Sequence, residues 1–216
     1  MKKYIIIIIF LFVLFCYIHI AKVNAVLPLS GTTVVIDPGH GGKDCGTSYN
    51  KIYEKDINLS VSSYLEEELS KMGALVIMTR TGDYDLAKPN ASRRKKSDFD
   101  NRINMINNSN ASYYLSIHTN YLSDSSYYGP QVFYNNNIEL AIVMQEVMNK
   151  ELNGDRKIKT IPSDTYMYNK LNVEGLLIEI GFLSNAQERN KLIQEDYQRL
   201  IASSIAKGLV EYKITK

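Results

Sequence analysis

The sequence predicts a single-domain α/β fold: a twisted, mostly parallel sheet with helices on both faces. Two observations predict it. Short apolar runs alternate with longer segments of helical periodicity. That alternation implies parallel strands joined by crossover helices. The 191 residues left after the first 25 suffice for one substantial core and fall short of two.

In chain order, Lys2 and Lys3 precede an apolar and aromatic run from Tyr4 to Ile20, and Val23, Asn24 and Ala25 follow. A basic start, an apolar middle and a small-residue ending form an export signal, with cleavage expected after Ala25. The run exceeds the usual middle of such a signal and falls just short of a full span of about 20 residues, so an uncleaved membrane anchor is the other reading of residues 1–25. Bulky Leu14 and Phe15 ahead of Cys16 argue against a lipid anchor there.

The first strand is expected at TVVID, 33–37. Ile57, Leu65 and Leu69 share one helical face, and ALVIMT, 74–79, is the next strand. The stretch 81–98 contains Gly, Pro, Asn and the cluster Arg93, Arg94, Lys95 and Lys96, and reads as an exposed loop. The cluster is either a solvated run or a grip for substrate carboxylates. Strands follow at YYLSIH, 113–118, and QVFY, 131–134, then a helix over 138–152, a strand at LLIEI, 176–180, and a helix over 197–212.

Ligands in this fold class bind beyond the carboxyl ends of the strands. His40 lies three residues past the first run, His118 closes the third and Glu179 sits near the end of the last, so the topology gathers them at one edge. Glu54 precedes a helix.

Composition narrows the function. Residues 1–25 carry three basic side chains and no acid, so their loss takes the formal net charge from +2 to −1, and bulk nucleic-acid binding is not expected. Only Cys45 lies beyond the leader, so an exported chain cannot close an internal disulfide. Sixteen tyrosines, five of them (Tyr113, Tyr114, Tyr121, Tyr127 and Tyr128) around His118, suit a sugar or peptide cleft and equally suit half-exposed strands.

Beyond the leader there are just two histidines, in DPGHGG (37–42) and SIHTN (116–120). Two neutral imidazoles with one carboxylate make a hydrolytic zinc set with a fourth position open to water. Glu54, in EKDINL (54–59), is the candidate carboxylate, because the glycine-rich loop before it can fold back toward His40. At a helix start it equally offsets the helix dipole. Glu179 lies within LLIEIGF, where an unpaired carboxylate costs several kcal/mol, so a nearby metal or a proton-transfer role is expected of it. There is no H-E-x-x-H, G-x-S-x-G or phosphate-loop motif.

DPGHGG, EKDINL, SIHTN and EIGFLSN (179–185), in that order, closely resemble the zinc-dependent N-acetylmuramoyl-L-alanine amidases of type 3, which hydrolyse bacterial peptidoglycan. The resemblance runs from about Thr33 to Tyr212 and implies that His40, Glu54 and His118 bind Zn2+ and that Glu179 is catalytic. It divides the chain into a leader, 1–25, and a catalytic amidase domain, 26–216. The compact layout is similar to the germination-specific members, which implies an exported enzyme of cell wall or spore cortex that exposes muramic acid for muramic-lactam formation. Two other readings share these residues: a zinc-stabilised module that grips peptidoglycan without cutting it, and a zinc peptidase that trims stem peptides. The chain departs from the family pattern at Cys45, Thr119, Tyr121, Glu174 and Gly175, none of them an expected ligand. Small residues at 41, 42, 46 and 48 leave the loop to Tyr53 free enough that an accessory protein partner is expected to order it for the metal.

Overall fold

Every apolar run expected as a strand is one, within two residues at either end. The computed structural model describes residues 2–23 and 26–216, with side chains for 3–15 and 26–216. The cleavage boundary expected at Ala25 lies outside the described residues, as does the side chain of Cys16. The leader forms α1 (Lys2–Val23), along which Ile5 to Leu14 are exposed. Among the described residues no helix is long and apolar enough to cross a membrane.

The strands are β1 (Thr33–Pro38), a small hairpin of β2 (Ser48–Tyr49) and β3 (Ile52–Tyr53), β4 (Leu75–Met78), β5 (Tyr113–Asn120), β6 (Gln131–Tyr134), β7 (Lys159–Thr160) and β8 (Gly175–Phe182). Six of them form one sheet in the order β4-β1-β5-β8-β6-β7. β1, β4, β5 and β8 run parallel, and β6 turns antiparallel to β8. The helices beyond the leader are α2 (Glu54–Lys71), α3 (Arg94–Asn107), α4 (Ile138–Leu152), α5 (Ala186–Leu192) and α6 (Glu195–Ile214). α4 has the bounds its periodicity predicts, because Asn137 accepts from Leu140 N at its start and Asn153 turns left-handed (φ 55°) at its end.

Alternation along the strands sorts two layers. Val34, Ile36, Leu115, Ile117, Leu176 and Ile178 join the core under α2, α4 and α6. Val35, Tyr114 and Leu177 face the opposite side, covered by α3 and the segment 161–173. Each fully buried aliphatic side chain contributes about 1.5–3 kcal/mol, so the first layer carries most of the stability. Period two places Ser116 and His118 of β5, and Glu179 of β8, on the second, thinner side.

The basic cluster departs from its expected setting. It is not in a loop that runs to Asp98, because α3 begins at Arg94. Arg94 is paired to Asp85 (2.9 and 2.7 Å), Lys96 to Asp100 (2.6 Å), and Asp98 accepts from Leu86 N and from Arg102. These acids offset the cost of positive charge in a first helical turn. The glycine loop before α2 is likewise tied: Glu54 N donates to Thr47 O, Lys55 N to Cys45 O, and Lys55 Nζ to Gly42 O. Before β8, the departure at Glu174 is held by the ladder, its carbonyl accepting from Tyr114 N.

Candidate functional site

The parallel register brings His118 of β5 directly beside Glu179 of β8. An irregularity between His118 and Asn120 shifts that register, a device that re-aims a side chain at a strand end. His40 follows β1 in a left-handed conformation (φ 62°), rare for a residue with a side chain. Glu54 is the first residue of α2, so it sits at the positive end of a helix dipole and also reaches the two imidazoles.

All four predicted residues meet at this edge. Glu54 Oε1 lies 2.9 Å from His118 Nδ1 and 3.2 Å from His40 Nε2. The candidate ligand atoms of His40, Glu54 and His118 lie within 4.8 Å of one another and could hold a metal ion. Two imidazoles and one carboxylate are the donor set of a three-ligand catalytic zinc site, so the residues present fit such an ion. Glu54 is fixed by Asn58 Nδ2 and Thr119 N on Oε1 and by Thr47 N and Oγ1 on Oε2.

Electrostatics support the grouping. Burial pushes the Glu54 carboxyl up, but contacts with His118 and His40 outweigh it and hold it well below the usual carboxylate range. Burial alone would lower His40, yet Asp44 and Glu54 raise it to about 9. His40 Nδ1 lies 3.0 Å from Asp44 Oδ2, close but without the alignment of a good hydrogen bond. Glu179 behaves oppositely to Glu54. Its Oε2 is buried with no partner, and burial together with the Glu54 charge pushes its carboxyl up to about 8. The rest of the side chain keeps partial access to solvent.

Two buried arginines hold the backbone that carries His40. Arg80 donates to the carbonyls of Pro38, Gly39 and Lys55, and Arg102 to those of Pro38 and His40. Arg102 also pairs with buried Asp37 at 2.7 Å. Gly39 and Gly46 permit the close approach, since a Cβ on Gly39 would meet the His118 ring at 2.3 Å and one on Gly46 would meet Glu54 Oε2 at 2.5 Å. A pocket of about 110 Å³ beside the group is lined by His40, His118, Phe99, Tyr166 and Tyr168 among others.

Sequence reasoning missed Asp37, Arg80, Arg102, Asn58 and Tyr168. A charge in an apolar run, the signal that singled out Glu179, is present equally at Asp37 within TVVID and at Arg80 directly after ALVIMT. Asp98 and Arg102, four apart on α3, form a pair that helical spacing can show. Tyr168 carried no such signal. Of the five tyrosines near His118, Tyr114 is in the core, while Tyr121, Tyr127 and Tyr128 are exposed in the loop after β5.

A parallel sheet with a His-Glu-His group at its carboxyl edge, beside an unpaired buried carboxylate, defines a hydrolase-type centre with room for a metal ion. The chain belongs to the N-acetylmuramoyl-L-alanine amidase family, whose model matches residues 34–211. It is 42% identical over 194 residues to the germination-specific N-acetylmuramoyl-L-alanine amidase of Bacillus subtilis (strain 168), spanning 86% of this chain and 81% of that one. Among solved structures, it is similar to the CwlD amidase from Clostridioides difficile in complex with the GerS lipoprotein, with a TM-score of 0.81 at 36% identity over 86% of this chain and 100% of that chain. A second, the N-acetylmuramoyl-L-alanine amidase from Clostridium difficile 630, gives a TM-score of 0.75 at 31% identity over 86% of this chain and 98% of that one. The fold class and the amidase family expected from the four motifs are thus borne out.

Proposed function

We propose that the chain is an exported, zinc-dependent amidase that cuts the bond between the lactyl group of muramic acid and L-alanine in peptidoglycan, acting on spore cortex. His40, Glu54 and His118 hold the metal and Glu179 moves the proton. The observation that carries this reading is the partnerless buried oxygen of Glu179, in register with His118 and beside a three-donor group. A zinc ion held there supplies a Lewis acid for the amide carbonyl and lowers the pKa of water to roughly 7.

The remaining steps belong to the chain. Glu179 accepts the proton of the attacking water and returns it to the departing amine of L-alanine. One of its carboxylate oxygens is buried without a hydrogen-bond partner, so no neighbouring group competes for the proton that it takes up and gives back. Thr47, Asn58 and Thr119 keep Glu54 oriented, and the arginine-bound loop keeps His40 in place.

Residues 1–25 serve in this reading as export signal or membrane anchor, placing residues 26–216 outside the cytoplasmic membrane. An accessory protein partner belongs to it too, since the similar CwlD amidase was solved in complex with a lipoprotein. The test is mass spectrometry of purified cortex and vegetative peptidoglycan after incubation with the full chain, with and without zinc. Zinc-dependent release of intact stem peptides with a free L-alanine amine is expected. Shortened stems still attached to glycan would instead indicate a peptidase.

A further inference from the structure

A metal takes the imidazole nitrogen that lacks a proton, so the placement of that proton on His118 decides whether the ring can serve. Nδ1 faces Glu54 and the three-donor group. Nε2 faces the Tyr168 hydroxyl at 3.3 Å. That hydroxyl lies 3.0 Å from Ser116 Oγ, and Ser116 Oγ lies 3.0 Å from Asp37 Oδ2. Taken alone, either hydroxyl can be the donor in the contact between Tyr168 and Ser116.

The far end of the chain of bonds decides the direction. Asp37 is buried, which raises its carboxyl, but Arg102 and Thr79 on its other oxygen outweigh burial and hold it below its ordinary value. It therefore accepts and does not donate. Each hydroxyl has a single proton. Ser116 gives its proton to Asp37 and so receives from Tyr168; Tyr168 gives its proton to Ser116 and so accepts from His118 Nε2. The ring proton is held on Nε2, and the Nδ1 lone pair faces the three-donor group.

We propose that Tyr168 is a positioning residue for metal binding, which with Ser116 relays the Asp37 carboxylate to His118 Nε2 and holds the ring in the tautomer that offers Nδ1. The inference rests on the metal-centre reading above and adds to it a residue from the segment that covers this side of the sheet. Ligating histidines commonly give their second N–H to a carboxylate or carbonyl directly, whereas two hydroxyls intervene here. The phenol is rigidly held. Tyr168 is buried, stacks on Tyr114 at 6.5 Å and 20°, and its carbonyl accepts from Asn135.

The test compares the full chain with Tyr168→Phe and Ser116→Ala by chelator-competition titration with zinc and by histidine-ring 15N spectra of the loaded proteins. Phenylalanine keeps the stacked ring and removes the hydroxyl; alanine breaks the relay at its middle and leaves the phenol, so either variant tests it if the other folds poorly. Zinc affinity about 10- to 100-fold weaker in each variant is expected, with an unchanged circular dichroism spectrum. The His118 Nε2–H signal should be protected from exchange in the unmodified chain and exposed in both variants. Zinc uptake by the unmodified chain, with affinity and ring signals unaltered in the variants, overturns the relay alone. Failure of the unmodified chain to take up zinc overturns both the relay and the metal centre.

Discussion

The two halves of the site are held in different ways. His118 and Glu179 sit on adjacent parallel strands, where a ladder of backbone bonds sets their separation. His40 and Glu54 sit on a loop and a helix start, and the loop keeps its left-handed turn at His40 because Arg80 and Arg102 bind its carbonyls. Strand register is a collective property that survives loss of a side chain. A loop held by two guanidinium groups depends on each of them.

The largest effect should come from the strand half. Glu179→Ala is expected to keep zinc while turnover falls by about 10³-fold or more, and His118→Ala to lose both, as read by peptide release and metal analysis. Full turnover in the first would remove the proton-transfer role; normal zinc in the second would remove the ligand.

Next comes the loop half. Arg80→Met removes a donor from the carbonyls of Pro38, Gly39 and Lys55, of which Pro38 keeps Arg102 and Gly39 keeps Asn58, at about 1.5 kcal/mol for each bond to the guanidinium. Chemical denaturation should show a loss of about 3–5 kcal/mol, together with weakened zinc binding through His40. A variant as stable as the parent would mean that the loop holds its own shape.

Gly39→Ala joins the halves, because its methyl would sit 2.3 Å from the His118 ring. Zinc affinity should fall about tenfold or more, and unchanged affinity would show that the ring has room to move.

The smallest effect concerns stability and pH. Glu179 has a folded-state pKa of about 8, above its unfolded value, so its contribution to the metal-free protein is full below pH 4.5 and lost as pH rises through 8. Glu179→Gln carries no charge to bury. Metal-free melting temperatures should therefore match at pH 4 and favour the variant by a few degrees at pH 9; an equal difference at both would contradict the raised pKa.

Much of the scaffold was legible because burial imposes a period. The runs at 33–37, 113–118, 131–134 and 176–180 are apolar enough to announce strands, and the helix that ends at Leu152, with Asn153 turning left-handed after it, shows how periodicity and caps mark a helix. The two-residue strand β7 and the hairpin of β2 and β3 are too short for periodicity to register. The start of α3 was hidden because its first turn is basic, against the dipole, and is compensated by Asp85, which folding brings to it, and by Asp100 one turn along the same helix.

The site divides along the same line. Histidine scarcity, a charge inside an apolar run and the placement of each at a strand end determined His40, His118 and Glu179 from the sequence by itself, since the physics involved is local: strand period, burial cost and chain direction. Tertiary structure alone decided that Glu54 bridges both imidazoles, that Arg80 and Arg102 bind the His40 loop, and that Tyr168 meets His118. Those contacts join residues far apart in the chain, and only the packing of strands and helices chooses which distant polar groups satisfy one another.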